Sequence, residues 1–244
     1  MKILNTFLFL IFGLLLKAQY LQVNYSVIRE SSVSTSKNFS PEMKKKLLED
    51  EKKPAEFRLF VAHGNSYFTA LPREIVSNQT DTSKGKSVYS HIETVIVDPV
   101  KIYRLNGDEK NYAYHKVDDY EFYSFDKLDT KAVTYREDMQ IIENYLCKLV
   151  EVTLQNNQII KIWYTESVPL SAGPFSYNSF PGLVLKIEAP SFVMYATEVS
   201  NKAKEEDVKT INKKLPVFSG EAYRNKMKEL NDKKQNNQNK VIKL

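Results

Sequence analysis

Residues 145–164 read YLCKLVEVTLQNNQIIKIWY. Two strand-length runs, Tyr145 to Leu154 and Gln158 to Tyr164, flank the pair Asn156-Asn157. Asparagine tolerates the left-handed backbone that a tight turn demands, so the pair predicts a hairpin and places the chain among antiparallel β folds. The same grammar extends upstream. Lys101 to Leu105, the turn Asn106-Gly107-Asp108, Tyr112 to Val117, the break Asp118-Asp119 and Glu121 to Phe125 read as a meander. Before them, Phe57, Leu59 and Val61 alternate up to His63-Gly64-Asn65, and Tyr67 to Leu71 resumes. Leu21, Val23, Tyr25 and Val27 alternate with polar residues inside Gln19 to Glu30. Val88 to Val97 is a β-branched run stopped by Asp98-Pro99, and Ser77 to Ser87 reads as a longer mobile loop. Downstream, Leu183 to Ala189 and Phe192 to Val199 form a second hairpin around Pro190-Ser191.

Helical signals are few. Ser40-Pro41-Glu42 supplies a cap, a first-turn proline and an acid ahead of Met43, Leu47 and Leu48, which predicts a helix over 40–53 that Pro54 ends. Ser219 to Lys234 carries Tyr223, Met227 and Leu230 at amphipathic spacing. The expected fold is therefore mainly β (α+β): a curved antiparallel sheet or open half-barrel with one N-terminal and one C-terminal helix. A face held open beneath a helix would make a lipophilic cavity. The expected organisation is a signal peptide over 1–18, a β-rich domain over 19–200, a charged linker and amphipathic helix over 201–234, and a disordered tail over 235–244.

The first eighteen residues combine Lys2, an apolar run from Phe7 to Leu16 and Lys17-Ala18. That run is too short for a membrane span, which takes roughly 20 apolar residues, and matches a secretory signal cleaved near Ala18. The expected location is the periplasm or the cell surface. Loss of Lys2 and Lys17 lowers the formal charge of +5 to +3. Residues 200–244 hold 12 Lys and Arg against 6 Asp and Glu, leaving the body, 19–199, at −3. The basic excess is thus a property of the tail. Aromatics are almost absent between its lysines, so nucleic acid is not an expected partner.

Composition narrows the chemistry. With 42% apolar residues, 15 Tyr, 13 Phe and only 7 Gly, the chain is neither collagen-like nor largely disordered. A single Cys, Cys147, excludes an internal disulfide; on the strand face shared with Tyr145 and Leu149 it reads as a small apolar side chain. His63, His91 and His115 lack the spacing of a local zinc site, and Ser171-Ala172-Gly173 lacks the first glycine of a nucleophile elbow. Asp118-Asp119 and Glu205-Glu206-Asp207 read as a turn and solvated charge. No catalytic residue, metal ligand or cofactor-binding residue is expected.

The densest signal lies between Trp163 and Val184. Gly173-Pro174 and Pro181-Gly182 fall close together, with Phe175, Tyr177, Phe180 and Leu183 between and after them, and no charge occurs from Ser167 to Val184. Such a connection folds back on the sheet or faces a partner. Trp163-Tyr164-Thr165, Pro169, Gly173-Pro174 and Ser179-Phe180-Pro181-Gly182-Leu183-Val184 resemble the signature of the GLPGLI family, exported proteins of Bacteroidetes named for that hexapeptide. The central Pro-Gly-Leu is kept, Phe and Val replace Leu and Ile, and Ser stands at the first position. The resemblance implies an envelope protein of unknown activity, in a family some of whose members are encoded near outer-membrane transporters. It marks Trp163, Thr165, Pro169, Gly173, Pro174, Pro181, Gly182 and Leu183 as motif residues, read as structural. The expected function is a non-enzymatic binding or scaffolding protein holding a lipid or other apolar ligand, or an envelope partner such as an outer-membrane transporter. The alternative is a hydrolase or processing enzyme whose site assembles only in three dimensions.

Overall fold

The computed structural model describes residues 20–29, 54–72, 74–79, 91–96, 100–126 and 128–241. The signal peptide expected over 1–18 and the helix expected over 40–53 lie outside these residues. So does most of the loop expected over 77–87, although Ser77 to Gln79 close a strand.

The described chain is mostly β. It runs β1 (Leu21–Arg29), β2 (Ala55–Ala62), β3 (Asn65–Ala70), β4 (Glu74–Gln79), β5 (His91–Ile96), β6 (Lys101–Arg104), β7 (Asn111–Val117), β8 (Tyr120–Asp126), β9 (Thr130–Ile142), β10 (Tyr145–Leu154), β11 (Ile159–Thr165), β12 (Leu183–Ala189), β13 (Phe192–Ser200) and β14 (Val217–Phe218), then the helix α1 (Gly220–Val241). Twelve strands form one open sheet in the order β14-β8-β7-β6-β3-β2-β1-β13-β12-β11-β10-β9, while β4 and β5 pair separately. All neighbours are antiparallel except β14 on β8. The expected hairpin at Asn156-Asn157 joins β10 to β11, with Asn157 at φ 64°.

Strand order makes this a curled sheet. From β1 the chain walks outward to β8, then reappears at the opposite edge as β9 and walks back to β13 beside β1. Yet only Lys127, Leu128 and Asp129 separate β8 from β9. A link that short spans at most about 14 Å, so the ends of the sheet approach each other and its faces are unequal.

On the inner face, cross-strand rows of apolar side chains meet. One row runs Val23, Leu59, Phe68, Ile102, Ala113 across β1, β2, β3, β6 and β7. Another runs Val27, Met194, Ile187, Ile162, Val150 across β1, β13, β12, β11 and β10. Most members of both rows are almost fully buried in one core. The outer face carries an aromatic ladder in strict register, Phe60, Tyr67, Tyr103, Tyr112 and Phe125.

The stretch after β13 reads as a charged linker, but the structure folds it over that aromatic ladder. Ala203, Val208, Ile211 and Leu215 pack on it, Asn212 N–H donates to the Tyr123 hydroxyl at 3.0 Å, and Lys209 sits over the Tyr67 ring at 5.8 Å. One apolar residue in every few is kept for the sheet. The helix then crosses to the inner face at β7 and β8. There Tyr223 meets His115 at 5.4 Å and Phe122 at 6.4 Å between ring centres, and Leu230 is buried. The expected tail from residue 235 is helical up to Val241, because nothing after Gly220 breaks the helix: no Gly or Pro follows it.

Candidate functional site

The uncharged connection between β11 and β12 lies within the curl of the sheet. Phe175 stands at the left-handed φ of 52° and packs edge-on against the stacked rings of Phe57 and Phe68, at 5.8 Å and 4.9 Å. A non-glycine residue in that backbone region is held there by its surroundings, and here the two rings hold it. Arg104 of β6 donates from one guanidinium nitrogen to the carbonyls of Ser171 and Asn178, at 2.7 Å and 2.6 Å. Partial burial draws its pKa below the usual arginine value, against the pull of Glu109 and Asp108. Asn178, 1% exposed, pairs its amide with that of Asn111 in β7. The connection therefore ties β11 and β12 to β6 and β7 across the interior.

The motif residues divide by position. Thr165, Gly173, Pro174, Gly182 and Leu183 converge in the buried zone, whereas Pro169 and Pro181 face solvent. Gly173 has no room for a side chain: a Cβ there would strike the carbonyl oxygen of Tyr177 and stand 2.9 Å from the Val184 Cβ. Gly182 is equally confined, since its Cβ would collide with the carbonyl of Thr165. The Thr165 hydroxyl accepts the Ser167 N–H at 3.3 Å, and Val184 N–H donates to the Ala172 carbonyl at 2.9 Å. Trp163 lies apart from this knot, on the strand, with its indole N–H donating to Glu188 at 3.2 Å.

The other sequence candidates are scattered. Cys147 is wholly buried and free, and burial pushes its thiol up to about 11. Tyr20 and His63 hydrogen-bond at 3.1 Å on the surface. The side chain of His91 lies outside the described residues. His115 borders a cleft of about 550 Å³ with Lys101, Lys116, Val100, Ala113 and Val117. The cleft arises because the β6–β7 ladder covers only Ile102 to Arg104, leaving the upper part of β7 without that neighbour among the described residues. His115 reaches the Ser124 hydroxyl at 2.7 Å and stacks on Phe122. Burial alone lowers its pKa, and the described lining of the cleft holds no acidic side chain. A histidine and a hydroxyl meet here without a carboxylate to orient them. Among the described residues, no group of three or more His, Cys, Asp or Glu could hold a metal ion.

A different surface stands out. No alternation between Phe125 and Tyr145 predicts a strand, yet β9 is a thirteen-residue edge strand. Val133, Tyr135, Met139 and Ile141 lie along one of its faces, 44% to 75% exposed, and Leu146 of β10, opposite Ile141, continues them. Tyr135 touches Tyr164 at 6.3 Å, so this row prolongs the inner face beyond the core. Large apolar side chains aligned in the open on a rigid ladder mark an interaction surface more often than a neutral one.

Residues 107–186 match the model of a family described as a protein of unknown function (Porph_ging). The match runs from the β6–β7 turn into β12 and takes in every motif residue. No curated protein matches the chain. Among solved structures, PNGF-II is similar in two crystal forms, each 14% identical. The P21 form has a TM-score of 0.55, with 87% of this chain and 34% of that one covered. The C2 form has a TM-score of 0.50, with 83% and 31% covered. The chain thus spans about a third of the length of these structures, and the likeness is one of fold.

Proposed function

We propose that this is an exported, non-enzymatic scaffolding or binding protein that holds an envelope partner against the apolar row of the β9–β10 hairpin. One observation carries the reading: Val133, Tyr135, Met139, Ile141 and Leu146 are aligned and exposed on a single face. An enclosed lipid is the less favoured occupant, because the inner face between β2, β3 and β11 is filled by Phe175 and Phe180 of the chain itself. Export rests on the pattern of residues 1–18. The motif residues belong to the scaffold in this reading. Thr165, Gly173, Pro174, Gly182 and Leu183 build the knot that stiffens the curl, and the row they support presents no reacting group.

The test compares the protein isolated from its own envelope with an Ile141→Lys, Tyr135→Ser variant by native mass spectrometry and lipid extraction. The expected result is a stoichiometric foreign protein bound to the parent and absent from a variant of unchanged melting temperature. A parent that carries no foreign protein and retains lipid, or carries nothing, overturns the reading.

A further inference from the structure

The edge presented by β9 is self-complementary, and we infer that it pairs antiparallel with the β9 of a second copy of this chain. The inference concerns the backbone edge and its register, and it stands whatever the apolar face holds. Among the described residues β9 has only β10 beside it, leaving about 40 Å of strand edge at roughly 3.4 Å per residue. Such edges are templates for another strand, and proteins ordinarily shorten them or load them with charge. This one is long, and its charges are arranged in opposites.

A two-fold pairing that keeps like faces together can slide only in steps of two residues. With the axis at Glu137, Val133 falls opposite Ile141 of the second copy and Tyr135 opposite Met139. Arg136 meets Asp138, and Lys131 meets Glu143 at the turn. Every apolar side chain that β9 gives to the row then faces an apolar one, and each of these cations faces an acid. Sliding one step sets Val133 against Glu143 and Lys131 against Tyr145; the opposite step sets Lys131 against Ile141 and Tyr135 against Glu137. Both alternatives place charge on apolar surface, so the register is selected by mismatch as well as by match.

The shape of the strand agrees with this axis. Lys148 pairs with Met139 and Val150 with Tyr135, so Arg136, Glu137 and Asp138 together face the single residue Leu149 as a bulge. The bulge is central, with Ala132–Tyr135 on one side and Met139–Ile142 on the other, which allows each half to pair with the opposite half of the second copy; a second irregularity leaves Lys131 without a partner residue on β10. Arg136 is already anchored to Glu151 at 2.6 Å, which fixes the bulge before any pairing. The one like-charge meeting is Glu137 with Glu137 on the axis.

The experiment uses the exported protein in light-scattering chromatography and sedimentation, with two sets of variants. The expected result is a dimer that Lys131→Glu or Glu143→Lys each weakens roughly fivefold, as cross-strand charge pairs do, and that the double reversal restores. Mixing Val133→Cys protein with Ile141→Cys protein should give a disulfide-linked pair that neither forms alone. A monomer at every concentration overturns the inference. So does a dimer indifferent to the charge reversals that yields no Val133–Ile141 cross-link. The reversals leave the apolar row intact, so loss of the dimer with foreign partner retained separates this inference from the proposed function.

Discussion

The Tyr25 hydroxyl donates a 2.7 Å hydrogen bond to the Val184 carbonyl, linking the first described strand to the last residue of the hexapeptide across 159 positions of sequence. Both residues are buried, Tyr25 at 1% exposure and Val184 at 0%. Removing the hydroxyl leaves a carbonyl without that partner in a dry site. Tyr25→Phe should therefore cost about 1–3 kcal/mol in denaturant unfolding, with the fold retained.

Burial raises the Tyr25 pKa above its ordinary 10.0. The unfolded chain then releases this proton at lower pH than the folded one, so stability is intact below pH 10 and falls as pH rises beyond it. Unfolding midpoints measured from pH 8 to 11 should decline above 10, and Tyr25→Phe should flatten that decline. An equal slope in both proteins would assign the alkaline loss to the other tyrosines whose pKa burial raises, Tyr103, Tyr164 and Tyr177.

Gly173→Ala and Gly182→Ala should each destabilise by about 1–3 kcal/mol, the range of overpacked interiors, because either Cβ meets a backbone carbonyl that cannot move aside. Gly107→Ala is the comparison. It has open space around it and a φ of 76°, so only backbone strain acts there, at about 1 kcal/mol. Melting temperatures of the three variants rank the two causes.

How much of this was legible follows from where each signal resides. The Asn156-Asn157 hairpin is local, and Asn157 takes the left-handed φ that its side chain allows. β9 is not legible that way: Arg136-Glu137-Asp138 interrupt its alternation in sequence, while the bulge they form keeps Tyr135 and Met139 on one face in space. The aromatic ladder draws single residues from five strands, so no window contains it. Arg104, Asn111 and Asn178 escaped for the same reason. Their contacts span 67 or more positions, and the only hint was that an uncharged segment ending at Val184 needed polar partners elsewhere for its buried carbonyls.

Cys147 should be unreactive in the native protein. Burial holds its thiol at about 11, so little thiolate exists at pH 8, and the sulfur is inaccessible besides. Labelling with a chromogenic disulfide reagent should be slow in buffer and immediate in denaturant. Its native rate should track unfolding, rising when Gly173→Ala loosens the core.

Ile141 and Ile187 lie at opposite extremes of exposure, 75% against 0%. Truncating Ile187 empties a site in the inner row between Ile162 and Met194, and Ile187→Ala should cost about 2–5 kcal/mol. Ile141 contributes little to its own fold, so Ile141→Ser should change stability by less than about 0.5 kcal/mol. An exposed isoleucine on an edge strand carries a hazard of aggregation that folding does not require. Paired measurements of unfolding and of partner binding separate the two roles: a stability loss at Ile141 comparable to that at Ile187 would place it in the core, and loss of binding alone would place it in the interface.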